Sequence, residues 1–139
     1  MMKNIIKVED KEHLKALIKD EIKLHGDKCD LNHLDVSKVT DMGYIFNGSN
    51  FNGDISKWDV SKVTDMNRMF WNSKFNGDLT DWLPYKLEDK KEMFKNCTAP
   101  TPYWYTAEDT QKAIESYQLK NKLEDKLSDI NKSVKKMKI

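Results

Sequence analysis

The sequence is poor in the residues that define several classes of protein. Among its 139 residues are two cysteines, three prolines and five glycines. Cys29 and Cys97 are too few for a disulfide framework, and we expect reduced thiols. No apolar run approaches the ~20 residues that cross a bilayer, and the first ten residues lack the apolar core of a secretory signal. These absences predict a cytoplasmic protein without a membrane partner.

The chain also lacks an excess of charge of either sign. Its 24 Lys and Arg nearly balance its 23 Asp and Glu, so no long-range field would draw nucleic acid to it. Four Trp, five Tyr, five Phe and seven Met are more bulky apolar residues than a disordered chain carries. We therefore expect one folded domain over residues 1–139.

What the sequence does contain is an internal repeat with a period of 24 residues. The letters VSKVTDM at 36–42 recur at 60–66, and FNGD at 51–54 recurs at 75–78. This frame gives three units, 30–53, 54–77 and a degenerate third from 78 to about 101. In the third unit Lys90 replaces the apolar Met66, as is typical of a terminal repeat. A period of this length predicts units that bury their apolar faces against one another.

Aligned apolar positions indicate which side chains are buried. Three such columns are Leu34/Trp58/Trp82, Ile45/Met69/Met93 and Phe46/Phe70/Phe94. Ile55, Trp58, Val60 and Val63 lie among turn and polar residues, as in a short extended segment. Met66, Met69 and Phe70 share one face of a helical turn. Each unit is therefore predicted to contain a strand, a helical turn and a return loop.

The segment FNGDISKWDVSKVTDMNRMF, residues 51–70, resembles the BspA-like repeat family of bacterial surface proteins, an offshoot of the leucine-rich repeats. The resemblance covers about residues 29–98. It implies protein binding or adhesion without catalysis. The expected fold class is α+β: a short right-handed leucine-rich-repeat-like solenoid of three 24-residue coils, with an N-terminal capping helix and a long C-terminal helix.

Both flanks of the repeats are predicted to act as caps. Within the N-terminal cap, 1–29, Asp10 and Gly26 bracket a helix of about 11–25. Repeats occupy 30–101. Within 102–139, the aromatic residues 103–105 form a plug, and Thr106 begins a long helix that runs to the end of the chain.

The C-terminal helix carries a heptad seam. Its apolar residues are spaced 4, 3, 4, 3: Leu123, Leu127, Ile130, Val134 and Met137. Such a seam predicts self-association as a homodimer. The alternatives are that the helix folds back on the repeats or that it frays.

The sequence does not support three kinds of chemistry that its residue types allow. His25, Cys29 and His33 are spaced four apart like zinc ligands, but Gly26 breaks the helix that would align them. The aspartate columns could bind calcium, yet each aspartate also has a local role in a turn or at a helix start. No nucleophile motif or phosphate-binding glycine loop is present. We therefore expect no catalytic residue, no metal and no cofactor.

Columns that vary between repeats are free for function. Three vary at positions predicted to be exposed: His33/Lys57/Asp81, Tyr44/Arg68/Glu92 and Asn47/Trp71/Lys95. Because Trp and Arg anchor many interfaces, the predicted binding surface is Tyr44, Lys57, Arg68 and Trp71. The alternative is that Trp71 packs against the adjacent repeat.

These observations predict a protein–protein interaction module that is not an enzyme. One form would be an intracellular inhibitor encoded by a phage or mobile element, similar in size to anti-CRISPR proteins or another inhibitor of host defence. The alternatives are a fragment of an adhesion-type surface protein and a nucleic-acid-binding protein. The last would use Lys38, Lys62, Lys86 and the basic C-terminal helix.

Overall fold

The computed structural model describes residues 3–137, which contain three helices and one small sheet. The elements are β1 (Ile6–Lys7), α1 (Lys11–His25), β2 (Leu34–Asp35), α2 (Tyr103–Thr106) and α3 (Thr110–Met137). The two strands pair in parallel, with Ile6 opposite Leu34. The sheet therefore joins the N-terminal segment to the first repeat. Between residues 3 and 137, no helix has both the length and the apolar composition that a membrane span requires.

The predicted fold class is wrong. In place of a leucine-rich-repeat-like solenoid of three coils, each with a strand and a helical turn, the described residues have a single two-stranded parallel sheet. Residues 36–102 contain turns and bends, with isolated bridges such as Asp41 to Asp65 and Asp65 to Asp89. The long C-terminal helix is confirmed.

Aspartate side chains explain why the repeats form turns. Oδ1 of Asp54 accepts the backbone N–H of Ser56 at 2.9 Å, and Oδ1 of Asp65 accepts that of Asn67 at 2.8 Å. The same bond to residue i+2 recurs at Asp30, Asp35, Asp41, Asp59, Asp78 and Asp89. Each bond satisfies locally an amide that could otherwise join a strand ladder. The aspartates predicted at helix starts therefore begin turns instead.

Backbone hydrogen bonds between repeats also differ from those of a sheet. Alternate amides of residues 42–48 donate to carbonyls of 65–71, and those of 66–72 donate to carbonyls of 89–95, at 2.7–3.1 Å. The amides between them close turns within their own repeat, for example Ile45 N–H to the carbonyl of Met42. In a parallel ladder both chains donate in alternation, whereas along these stretches the earlier repeat donates, and the later repeat donates back only at their edges, for example from Thr64 to the carbonyl of Thr40. These segments are therefore linked without becoming strands.

Equivalent aromatic side chains of adjacent repeats lie against one another, as the columns predict. Ring centroids of Phe46 and Phe70 are 5.5 Å apart, and those of Phe70 and Phe94 are also 5.5 Å apart. Trp58 and Trp82 are 6.3 Å apart, and each donates its indole N–H to a carbonyl of the preceding repeat at 2.9 Å. The core follows these columns through the three repeats.

Helix α1 covers the first repeat. Asp10 caps it by accepting the N–H of His13 at 2.9 Å, and Gly26 ends it with a φ of 88°. Leu14 and Ile18 are buried against the core of the repeats. The apolar face of α1 therefore shields what would be an exposed end of the aromatic columns.

The long C-terminal helix begins later than the predicted Thr106, and the predicted aromatic plug, residues 103–105, forms most of a separate short helix, α2. Thr106 ends α2, and the cap of α3 is Asp109, whose Oδ1 accepts the N–H of Lys112 at 3.0 Å. Within α2, Trp104 stacks on Trp82 at 6.4 Å and donates its indole N–H to the carbonyl of Leu79. It thereby extends the tryptophan column by one ring. The end of the predicted helix, residues 138–139, lies outside the described residues.

Lys90 fastens the C-terminal segment to the third repeat. It occupies the position that Met66 holds in the second repeat, where burial lowers the pKa of the Lys90 ammonium. Its Nζ donates to the carbonyls of Trp104 at 3.3 Å and Ala107 at 2.5 Å, and to Oγ1 of Thr110 at 3.0 Å. The cation thus satisfies carbonyls at the end of α2 that lack a helical partner.

The turn aspartates predict acid sensitivity. Hydrogen bonds from Ser37, Asn32 and Thr80, respectively, lower the pKa values of Asp35, Asp54 and Asp78. Since a depressed folded-state pKa favours the folded state above the unfolded pKa of about 3.9, this stability is lost as pH falls through the folded values. Thermal unfolding followed by circular dichroism should show a level midpoint above about pH 5 and a fall below about pH 4.

Asn substitutions at two of these aspartates provide the control for acid sensitivity. Asn can accept the same turn hydrogen bond but does not titrate. The double variant Asp54→Asn, Asp78→Asn should lose less stability between pH 5 and 3 than the unmodified chain. An equally steep loss would show that other groups cause the acid transition.

Lys90 and Met66 occupy equivalent positions of two repeats, and we expect exchanging their side chains to destabilise the protein by different amounts. Lys90→Met should cost about 1–3 kcal/mol, because two carbonyls and a hydroxyl lose a charged donor. Met66→Lys buries an ammonium without acceptors and should cost about 4 kcal/mol or more, or prevent folding. Urea unfolding of both variants tests this, and equal losses would contradict the assigned role of Lys90.

Candidate functional site

Tyr44, Arg68 and Glu92 form a hydrogen-bonded column across the three repeats. The guanidinium of Arg68 donates to Oη of Tyr44 at 3.0 Å and to Oε1 of Glu92 at 2.8 Å. The bond to Tyr44 raises the pKa of Arg68. On the other side, Lys95 approaches Glu92 to 3.0 Å and lowers the pKa of its carboxyl. Arg68 therefore stays charged and held between its two neighbours.

Aromatic rings flank the same guanidinium. Cζ of Arg68 lies 5.1 Å from the ring centroid of Trp71 and 6.0 Å from that of Tyr44. A flat guanidinium can stack on a ring while its edge donates hydrogen bonds, which a lysine ammonium cannot do. We call the four residues Tyr44, Arg68, Trp71 and Glu92 the Arg68 patch.

The backbone under the patch is locked in a rare conformation. Tyr44, Arg68 and Glu92 have φ values of 63°, 51° and 52°, in the left-handed region that residues other than glycine seldom adopt. The amides of Tyr44 and Arg68 donate to carbonyls of the following repeat at 3.0 and 2.9 Å. These bonds hold the left-handed turns in place, so the side chains of the column leave the backbone in the same direction.

Helix α1 contributes to one edge of the patch. Nζ of Lys11 lies 6.0 Å from the ring centroid of Tyr44 and 3.5 Å from Oδ1 of Asp41. Tyr44 is 43% exposed, whereas Arg68 and Trp71 are half-buried. The patch therefore offers one open ring beside a supported arginine and indole.

The structure brings together three of the four predicted binding residues. Tyr44, Arg68 and Trp71 are in mutual contact through Arg68. Lys57 lies in another turn, where its amide donates to Oδ1 of Asn32 at 2.9 Å, and within residues 3–137 it makes no ion pair or cation–π contact. The role of Glu92 was not among the predictions, although its charge, opposite to that of Arg68 and 24 residues after it, was a usable signal.

One predicted surface residue is buried. His33 is 9% exposed, and its Nε2 lies 2.6 Å from Oε1 of Glu21 on α1. Nε2 of His25 lies 3.5 Å from the other oxygen of the same carboxylate. The two histidines thus meet one glutamate where α1 packs on the first repeat. The prediction that His33 is exposed is wrong, since a neighbouring helix covers it.

The described part of the chain brings together no group of three His, Cys, Asp or Glu side chains with metal-binding geometry.

A cleft of about 750 Å³ lies between the third repeat and α3. Lys90 is at its wall, but its ammonium is bonded to the carbonyls of α2 described above. The other charged lining residues are Lys86, Glu88, Glu108, Asp109 and Lys112. This mixture of signs would not concentrate a charged ligand.

The heptad seam of α3 is exposed. Every residue from Leu119 to Met137 is classed as exposed, so the helix projects from the repeats and does not fold back on them. The exposed fractions are Leu123 58%, Leu127 58%, Ile130 58%, Val134 46% and Met137 79%. Leu119, which is 59% exposed, adds an apolar residue that the predicted seam omitted.

These features define a repeat-built protein with a helical cap on each side, an arginine–aromatic surface and a projecting helix that carries an apolar seam. A family model described as "Mycoplasma protein of unknown function, DUF285" matches residues 13–131. The chain belongs to this family. No curated protein and no solved structure matches the chain.

The contact between Glu21 and His33 predicts a stability effect. Glu21→Ala would leave a buried imidazole without its 2.6 Å partner, and we expect a loss of about 1–3 kcal/mol. Glu12→Ala, at an exposed position of the same helix, should change stability by less than about 0.5 kcal/mol. Urea unfolding compares the two variants, and similar losses would show that the contact with His33 contributes little.

Proposed function

We propose that the chain is a non-catalytic protein-binding module whose contact surface is the Arg68 patch. The observation that carries this proposal is the position of Arg68, which is hydrogen-bonded to Tyr44 and Glu92 and stacked near Trp71. Trp, Tyr and Arg are the residue types that dominate measured binding energies at protein interfaces. Side chains already held in place lose less conformational entropy when a partner binds.

The chemistry of the patch indicates what such a partner presents. Arg68 and Lys95 share the carboxylate of Glu92, and Lys11 pairs with Asp41, so these three cations and two carboxylates leave one net positive charge. The exposed ring of Tyr44 and the half-buried indole of Trp71 favour an apolar or aromatic side chain. A partner surface with an apolar centre and a carboxylate at its rim would match both features.

We also propose a more specific kind of protein-binding module. The family is related to the BspA-like repeats, and the segment 51–70 resembles them, which supports binding or adhesion. Within this class we favour an inhibitor that acts inside the cell and is encoded by a phage or mobile element. The support for that step is analogy of size with known inhibitors of host defence. A fragment of an adhesion protein is the alternative.

Paired substitutions test the patch. We expect Trp71→Ala and Arg68→Ala each to reduce capture of a protein partner at least tenfold, because each removes an anchor of the surface. Lys62→Ala, at an exposed lysine outside the patch, is the matched control and should bind normally. The measurement is affinity capture from a lysate of cells that encode the chain, quantified by mass spectrometry.

Three results would count against the patch. If all three variants capture the same proteins equally, the surface lies elsewhere. If Trp71→Ala lowers the thermal midpoint by more than about 8 °C, Trp71 mainly supports the repeats. Loss of binding only in Lys62→Ala, together with salt-sensitive retention on heparin, would favour the nucleic-acid alternative.

We also propose that the seam of α3 joins two copies. Burying a half-exposed Leu, Ile or Val completely yields about 1 kcal/mol, half of the ~1.5–3 kcal/mol for full burial. Ten such side chains across two copies give roughly 10 kcal/mol, against an association cost of about 4–15 kcal/mol. The expected dimer is therefore weak, and sedimentation at increasing concentration should show it only in the micromolar range or above.

A further inference from the structure

We infer that two copies pair through α3 in antiparallel orientation, with Leu127 of one copy against the partner's Ile130. This inference rests on the proposed self-association and adds its geometry. It depends on one residue of the exposed helix, Lys120, and on where the repeats are attached.

Lys120 occupies a seam position. The seam residues from Leu127 onward are spaced 3, 4 and 3, and Leu123 precedes Leu127 by four. Extending the same alternation backward by three residues reaches Lys120, which is exposed on the same stripe of α3. The regularly spaced seam positions thus begin with a lysine and continue with five apolar residues, and Leu119 lies beside the first of them.

Parallel pairing would place like charges together. In a parallel pair each seam residue faces the same residue of the partner. Lys120 would therefore meet the partner's Lys120 inside an apolar seam. The C-terminal turns of the two helices would also lie side by side. Residues 129–137 of each copy carry three lysines, Lys132, Lys135 and Lys136, and a single acid, Asp129. Both contacts are repulsive.

Antiparallel pairing avoids both contacts and keeps the apolar layers. With Leu127 against the partner's Ile130, Leu123 faces the partner's Val134, and Lys120 faces the partner's Met137. Residues 120 and 137 are separated by about 25 Å of helix at 1.5 Å per residue, so the two lysines lie far apart. The stem of each lysine can pack along the methionine while its ammonium reaches water.

The attachment of the repeats allows this orientation. Helix α3 contacts the rest of the chain through its first turns, where Ile114 is buried and Tyr117 stacks on Tyr103 at 4.3 Å. Residues 119–137 are exposed along their whole length. Antiparallel pairing therefore places the two sets of repeats at opposite ends of the paired helices, where they do not compete for space.

Disulfide cross-linking of the full chain tests the orientation. In a background of Cys29→Ala and Cys97→Ser, two single variants are prepared, Leu123→Cys and Val134→Cys. Mixed in equal amounts under mild oxidation, they should form the mixed disulfide at least tenfold faster than either variant links to itself. A variant with cysteine at an exposed position away from the seam, Lys122→Cys, gives the rate of random collision.

The outcomes separate the inference from the proposed self-association. Rapid self-linking of Leu123→Cys alone would show a parallel pair, which overturns the orientation and leaves self-association standing. A monomeric mass for the unmodified chain at several hundred micromolar would overturn both. Circular dichroism of each variant confirms that the helix is retained.

A second substitution tests the role assigned to Lys120. Lys120→Leu adds an apolar side chain at each end of the seam, which should tighten the dimer about tenfold, and it removes one of the two repulsive contacts that disfavour parallel pairing. In the Lys120→Leu background, Leu123→Cys should begin to link to itself. If the cross-linking pattern and the affinity are both unchanged, Lys120 does not set the orientation.

Discussion

The constraint on which the molecule depends is the contact between equivalent side chains 24 residues apart. Phe70 is fully buried because the rings of Phe46 and Phe94 lie on its two sides at 5.5 Å. No repeat can therefore bury its own aromatic residues, and each end of the array needs a cover of different structure. Leu14 and Ile18 of α1 supply it at the first repeat. Trp104 supplies it at the third, with the same indole hydrogen bond that the repeats use.

Apolar and polar residues of the repeats predicted different features of the structure. The columns of Phe and Trp predicted which side chains meet, because a fixed period leaves few ways to bury them. The same apolar spacing predicted a strand in each repeat, and this prediction is wrong. The decisive letters were polar: Asp54 with Ser56, and Asp65 with Asn67, each form a turn that takes up an amide locally. Eight such turns outweigh the strand signal of a few apolar residues in each repeat.

The sequence predicted the residues of the candidate site that belong to one column of the repeats. It did not predict features that depend on contacts with a helix outside the repeats. Tyr44 and Arg68 stood out as variable positions on a constant scaffold. The burial of His33 could not be read from its column, because the residue that covers it, Glu21, belongs to α1. Lys90 appeared only to break the pattern of its repeat. Its partners, the carbonyls of Trp104 and Ala107, lie in a segment without the repeat.

The two proposed interaction surfaces are physically independent, and this follows from how each is supported. Left-handed turns that adjacent repeats hold in register support the Arg68 patch. The seam lies on residues 119–137, whose only support is the helix itself. Because the two regions share no contacting residue, changes in one should add to changes in the other without coupling. Under the two proposals, the Arg68 patch would be a rigid recognition surface, and a weak helical pairing would set how many copies present it, which raises avidity without altering the surface.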